Sequence, residues 1–295
     1  MRTVAYTCPF VPAEWIAAHG LAARRVVPAL APPDGLLPPQ AGMCPYARAF
    51  VNALARPPVP DAAVFTTVCD QMRRAAEWFA ARSNVPTFLM NVPATWTSAA
   101  EALYSAELGR LGRFLVRLGG NAPTTEQLAR ALRAADAARA GAAAPAGDGV
   151  PLALVGGPLL AEHRALFEQV RRLGGRIVLD ATPGGELTAP ARVDPDAARL
   201  DPEAELVRIY FRHIPHAMRR PDDALHEWLD RELAARSVGG VLFYRHLWCD
   251  LWHAELGRLR ERTALPILEL DVGDEDHTLA RWLGKLQAFL ETRTE

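Results

Sequence analysis

Lysine is nearly missing from this chain of 295 residues: Lys285 is the only one, and the remaining basic side chains are arginines. Schiff-base chemistry is thereby excluded everywhere but at that position. Cysteine is scarce too. Four in a chain of this length are too few for a disulfide scaffold, so they read as free thiols, metal ligands or nucleophiles. Neither sign of charge is in excess. The net charge is −1 at pH 7, with no polybasic tract, which argues against nucleic acid and a membrane surface as partners. No apolar run approaches the roughly 20 residues that span a bilayer. The opening Met1-Arg2-Thr3-Val4-Ala5-Tyr6-Thr7-Cys8-Pro9 lacks a small-residue cleavage site, so a cytoplasmic location is expected. Gly156-Gly157-Pro158 has neither the spacing of a phosphate loop nor that of GxGxxG, and there is no GxSxG elbow or HExxH helix. ATP chemistry would have to come from a partner.

What is present is an abundant core: 50% of the residues are apolar. Short buried-type runs at 3–7, 62–68 and 85–92 read as strands, with amphipathic helices at 12–20, 46–54 and 70–81 between them. A second unit repeats that alternation, with strands at 151–155, 176–181, 238–244 and 266–271 and helices at 159–173, 251–263 and 278–292. Alternation of this kind predicts parallel sheets covered by helices. Two helices at 98–118 and 128–140 separate the units, and the Ala/Gly/Pro stretch 141–149 reads as a linker. The expected architecture is α/β, with two Rossmann-like parallel-sheet domains joined by a helical pair. The expected boundaries are 1–97, 98–149 and 150–295. The stretch 182–202 reads as loop, and helices are expected at 203–214 and 221–236.

The chain is organised around Thr66-Thr67-Val68-Cys69-Asp70-Gln71-Met72-Arg73-Arg74, where a strand ends and a helix begins. A thiol at such a junction meets backbone N–H groups and the positive end of a helix dipole, which favour the metal-binding thiolate. Cys44, in Gly42-Met43-Cys44-Pro45-Tyr46-Ala47-Arg48, and Cys249, in His246-Leu247-Trp248-Cys249-Asp250, share that setting. Their separations are not those of a ferredoxin or a zinc ribbon. Placement joins them instead, because ligands of open parallel sheets bind at the carboxyl ends of strands. A lone free cysteine is most often a small buried apolar residue; three in the same kind of position weigh against that reading. Cys8, at another strand end, reads either as a fourth ligand or as packing beneath the site. His246 and His253 flank Cys249 and could donate a hydrogen bond or a proton. Glu14 either begins a helix or faces the site. Asp70 and Asp250 read as helix caps, Ser98 as the cap of the helix it opens, and Trp248 and Trp252 as core or shielding. Arg48, Arg73 and Arg74 either offset negative charge or lie on helix surfaces, and His213 and His216 look structural or exposed.

Tyr6-Thr7-Cys8-Pro9-Phe10-Val11-Pro12-Ala13-Glu14, followed by Gly20, resembles the opening of the 2-hydroxyacyl-CoA dehydratase and benzoyl-CoA reductase family, D-component type. The motifs around Cys44 and Cys69 are similar to that family's first and second cluster-cysteine motifs. Gly240-Val241-Leu242-Phe243 through Trp248-Cys249-Asp250, with Leu265 to Asp271, is similar to the third. The resemblance implies a [4Fe–4S] cluster held by Cys44, Cys69 and Cys249, with the fourth iron position open to water or the substrate carbonyl. It further implies a homologous subunit or a second copy as partner, and a separate ATP-hydrolysing iron–sulfur activator that injects one electron. The implied reaction is a lyase step on an acyl-CoA thioester through a ketyl radical, with His246 and Glu14 as candidate catalytic groups. A benzoyl-CoA or small-molecule reductase is the related alternative. The short loop Thr182-Pro183-Gly184-Gly185-Glu186 favours another, an electron-transfer or accessory protein without its own CoA substrate.

Overall fold

The computed structural model describes residues 1–38, 42–139, 148–273 and 278–292, so residues 141–147 of the expected 141–149 linker lie outside the described residues. Two four-stranded sheets, all parallel, carry the fold. The first contains β1 (Thr3–Tyr6), β2 (Ala22–Arg25), β3 (Ala62–Thr66) and β4 (Thr87–Met90) in the order β2-β1-β3-β4. The second contains β5 (Val150–Gly156), β6 (Gly175–Ala181), β7 (Gly240–His246) and β8 (Ile267–Val272) in the order β6-β5-β7-β8. The two orders are the same topology. Strand β3 is buried at every position and β7 at all but one, as strands covered on both faces must be.

Helices α1 (Ala13–Ala18), α2 (Pro45–Leu54) and α3 (Asp70–Arg82) connect the strands of the first half. Next come α4 (Ser98–Arg117) and α5 (Thr125–Arg139). In the second half lie α6 (Ala165–Arg172), α7 (Pro195–Leu200), α8 (Pro202–Val207), α9 (Asp223–Ala235), α10 (Asp250–Arg262) and α11 (Thr278–Glu291). One core packs α1, α4 and α5 on the first sheet and draws in Leu206, Ile209 and Phe211 from the second half. Another runs from Phe50, Phe65 and Phe79 through Leu154 and Tyr244 to Trp282, so both halves share it. The third covers the remaining face of the second sheet with Leu229, Trp252 and Leu256.

Several local expectations are corrected. The 182–202 stretch contains a 3₁₀ turn, Glu186–Thr188, and α7, whose start is fixed by Pro195 at the first helical position and Asp194 capping the amides of Asp196 and Ala197. The 203–214 helix is α8 followed by a π-helical turn, Arg208–Arg212. The N-cap of α4 is Thr97, which accepts from the Ala100 amide, and not Ser98. Leu103 on that helix is exposed. No helix among the described residues is long and apolar enough to cross a membrane.

Candidate metal centre

In an open parallel sheet the crevice for a ligand lies at the carboxyl ends, where the strand order reverses. That point falls between β1 and β3 in one sheet and between β5 and β7 in the other. Cys8 follows β1 and Cys69 follows β3, while Pro158 follows β5 and Cys249 follows β7. All four of these residues, together with Cys44, line one cavity between the halves.

Three of the cysteines share a local device. Cys44 is the N-cap of α2, Cys69 of α3 and Cys249 of α10. Asp70 and Asp250, expected as caps, are instead first-turn residues, and Asp70 is an exposed partner of Arg73 at 3.0 Å. Three helix N-termini therefore converge on the cavity, each presenting amide dipoles to a sulfur. None of the three sulfurs makes a cap hydrogen bond of normal geometry. The first-turn amides still act on the charge: those of Tyr46 and Ala47 on Cys44, Gln71 and Met72 on Cys69, Trp252 on Cys249.

Burial outweighs those amides. It pushes the Cys249 thiol up to about 11, with the Cys69 sulfur and Asp250 adding to the rise. Burial likewise raises Cys44, with repulsion from Cys249 behind it, and raises Cys69. Cys8 is pushed to about 11 by burial, opposed by the Thr66 hydroxyl. Burial thus opposes the thiolate at each of the four cysteines, and a bound cation would favour it.

Other contacts fix the frame. The Cys44 amide donates to Gln71 Oε1 at 2.9 Å, tying the Cys44 loop to α3. The hydroxyls of Thr7 and Tyr46 are hydrogen-bonded across the first half. His246, wholly buried, sets its Nε2 2.7 Å from the Pro158 carbonyl, which can only accept, so Nε2 carries the proton. Its Nδ1 is buried without a protein partner. Burial lowers the His246 pKa to about 4, so the ring is neutral and its bare nitrogen is an acceptor, not the donor the sequence suggested.

Among the described residues, one group of three His, Cys, Asp or Glu side chains brings its ligand atoms within 4.8 Å of one another, and it is Asp222, His226 and Glu255. No three of the cysteine sulfurs lie within that 4.8 Å of one another. Zinc–sulfur bonds of about 2.3 Å in a tetrahedron put sulfurs roughly 3.8 Å apart. Four thiols lining one cavity are the soft donor set that zinc, copper(I) and iron–sulfur clusters share. The Asp222 group reads differently: Arg258 contacts Asp222, Arg220 lies 3.7 Å from Asp222 and 3.8 Å from Glu255, and His226 Nε2 is 2.8 Å from Glu255. Its carboxylates are already compensated, as in a buried ion network.

The model of the family "2-hydroxyglutaryl-CoA dehydratase, D-component" matches residues 8–144 and again 138–292. The chain belongs to that family. As a D-component relative it contains two repeats of the domain, one around each sheet. No curated protein matches the chain. Among solved structures, that of the SBP FpvC from Pseudomonas aeruginosa in complex with Mn2+ is similar over 100% of this chain and 99% of that one, at 14% identity and a TM-score of 0.27. That likeness carries no argument.

The remaining expected site residues of this D-component relative scatter. Glu14 is buried in α1, ion-paired with Arg139 at 2.5 Å and accepting from Tyr210 at 2.6 Å, and it is not among the residues lining the cavity. His253 accepts from Arg245 on the outer side of α10. Trp252 is buried against the cavity, but Trp248 is 64% exposed, held at a φ of 65°. Arg48 is buried in α2, whereas Arg74 is exposed. His213 is exposed, as expected, but His216 is buried and lines the cavity. Its Nδ1 accepts from the Met218 amide at 3.1 Å, which leaves the proton on Nε2. The signal was Pro215: a proline there ends the helix, so His216 cannot sit on a helix face.

Proposed function

We propose that this chain is the iron–sulfur subunit of a 2-hydroxyacyl-CoA dehydratase-type enzyme, with a [4Fe–4S] cluster held by Cys44, Cys69 and Cys249. The observation that carries this reading is the meeting of cysteines from both sheets in one cavity, three of them as helix N-caps. When bound, such a cluster supplies one-electron reduction and, at an iron without a protein ligand, Lewis acidity. The chain's own residues do the rest. Three helix N-termini favour the thiolate form of the ligands. Trp252, Pro158 and Pro183 wall the cavity against water, which strengthens every electrostatic interaction inside it. His216 Nε2 carries a proton and His246 Nδ1 offers an acceptor, both on side chains of the cavity wall. The electron would come from a separate ATP-hydrolysing activator, the substrate would be an acyl-CoA thioester, and the subunit would pair with a homologue or a second copy in the cytoplasm.

A second reading rests on Cys8. A fourth thiol in the same cavity favours a cluster fully ligated by protein, and hence an electron-transfer or accessory role without substrate at the iron. Anaerobic purification with iron and sulfide analysis, and EPR of the reduced protein, tests the common ground. About four irons per chain are expected, lost in Cys69→Ser; a folded, iron-free wild type would sink both readings.

A further inference from the structure

The cysteine cavity has a larger neighbour. A cleft of about 510 Å3 shares Tyr46, Pro158 and Pro183 with it, and its apolar walls include Val26, Leu159 and Phe167. Two arginines from opposite halves line it, Arg25 at the end of β2 and Arg164 just before α6. Among the described residues neither makes an ion pair, although Arg171 and Arg172 in α6 both hold Glu168. Arg25 is nevertheless positioned. It donates through Nη2 to the Pro183 carbonyl of the other half and through Nε to the Thr7 carbonyl at 3.4 Å. Carbonyl partners orient a guanidinium without cancelling its charge. The one carboxylate of the cleft, Asp180, lies near enough for its charge to be felt by Arg164, but it forms no ion pair with it among the described residues and is hydrogen-bonded to its own loop. Its Oδ1 accepts from the Thr182 amide at 3.1 Å and from the Thr182 hydroxyl at 2.7 Å.

Two guanidiniums without a direct ion pair, over an apolar floor, recognise a molecule with an anionic end and an uncharged body. We propose that this cleft binds the carboxylate or phosphate head of a small ligand whose uncharged end extends past Tyr46 toward the cysteines. The direction of that end rests on the cluster reading; the anion site does not. Because Arg25 and Arg164 belong to different halves, the bound anion also ties the halves together at the mouth of the cavity.

The test is calorimetric titration of the full chain at low salt with pentanoate and, separately, with inorganic pyrophosphate. Wild type, Arg164→Glu, Arg25→Gln and Cys69→Ser are compared, each checked for folding by circular dichroism. Saturable, salt-sensitive binding of at least one anion to wild type is expected, weakened about tenfold or more in Arg164→Glu. Arg164 is exposed, so this variant leaves the fold intact. Pentanoate as the ligand points to a carboxylate head and pyrophosphate to a phosphate head. Cys69→Ser is expected to bind as wild type does, so loss of iron and loss of the anion site are separate results. Failure of both anions to bind folded wild type, or unchanged binding in both arginine variants, would overturn the proposal.

Discussion

The two halves share a topology and load it differently. Cys69 and Cys249 occupy the same place: each follows the third strand of its half, caps the next helix and precedes an aspartate. Three residues on, Met72 and Trp252 both line the cavity. The other junctions diverge. The first half puts Cys8 after β1 and Cys44 at the start of α2, where the second half has Gly157-Pro158 after β5 and Thr182-Pro183 after β6. Duplication supplied the scaffold with one thiol per repeat. Asymmetry at the remaining junctions leaves one cavity lined unequally by the two halves.

The cysteines give the sharpest way to break that comparison. Cys69→Ser and Cys249→Ser, the matched pair, are expected to lose the iron alike, and Cys44→Ser with them. Cys8→Ser is expected to keep it. Elemental analysis with EPR reads this out, and iron loss in Cys8→Ser would favour the fully ligated reading.

Glycine at the end of β5 marks the next difference. Gly156 has a φ of 143°, and a Cβ there would lie 1.9 Å from the Tyr244 carbonyl oxygen of the neighbouring strand. Gly156→Ala is expected to destabilise by about 3 kcal/mol or more in denaturant titration, from clash and strain together. The first half ends β1 on Tyr6 and needs no such device. Its own internal support is Glu14, and Glu14→Gln is expected to cost about 2–3 kcal/mol by leaving Arg139 without its charge partner. Iron content should not change in that variant; a loss of iron from a folded Glu14→Gln would return Glu14 to the site.

Acid offers a gentler probe. Burial holds His163, His216 and His246 at pKa values of about 4, against an ordinary 6.5. Between those values the unfolded chain takes up protons that the folded chain refuses. Their contribution is full above pH 6.5 and is lost as pH falls toward 4. Stability measured by urea titration should decline across that window, and a flat profile would refute the neutral assignments. The smallest effect is expected at Trp248. Trp248→Gly relieves a left-handed backbone at an exposed position and should shift stability by no more than about 1 kcal/mol.

The meeting of the cysteine junctions in one cavity was legible because its signals are local. Pro45 after Cys44 and the Cys-Asp pairs announce helix starts, and the apolar runs before Cys69 and Cys249 announce strand ends. Parallel-sheet topology then carries such junctions to one edge without any pairwise information. What escaped was tertiary. His216 reaches the cavity through a segment beyond a π-helical turn, which no periodicity reports. Trp248 faces outward because of a backbone φ that its side chain disfavours. Asp222 and His226 meet Glu255 from a different helix, so their spacing alone says nothing of the ion network. The two alternating units were legible, but that they are two copies of one family domain was not.

The central claim is best tested by locating the metal. An anaerobic crystal with anomalous data collected at the iron edge should show its strongest peak in the cavity bounded by Cys44, Cys69 and Cys249. Iron at Asp222, His226 and Glu255, or none between the two sheets of an iron-replete crystal, would contradict the account.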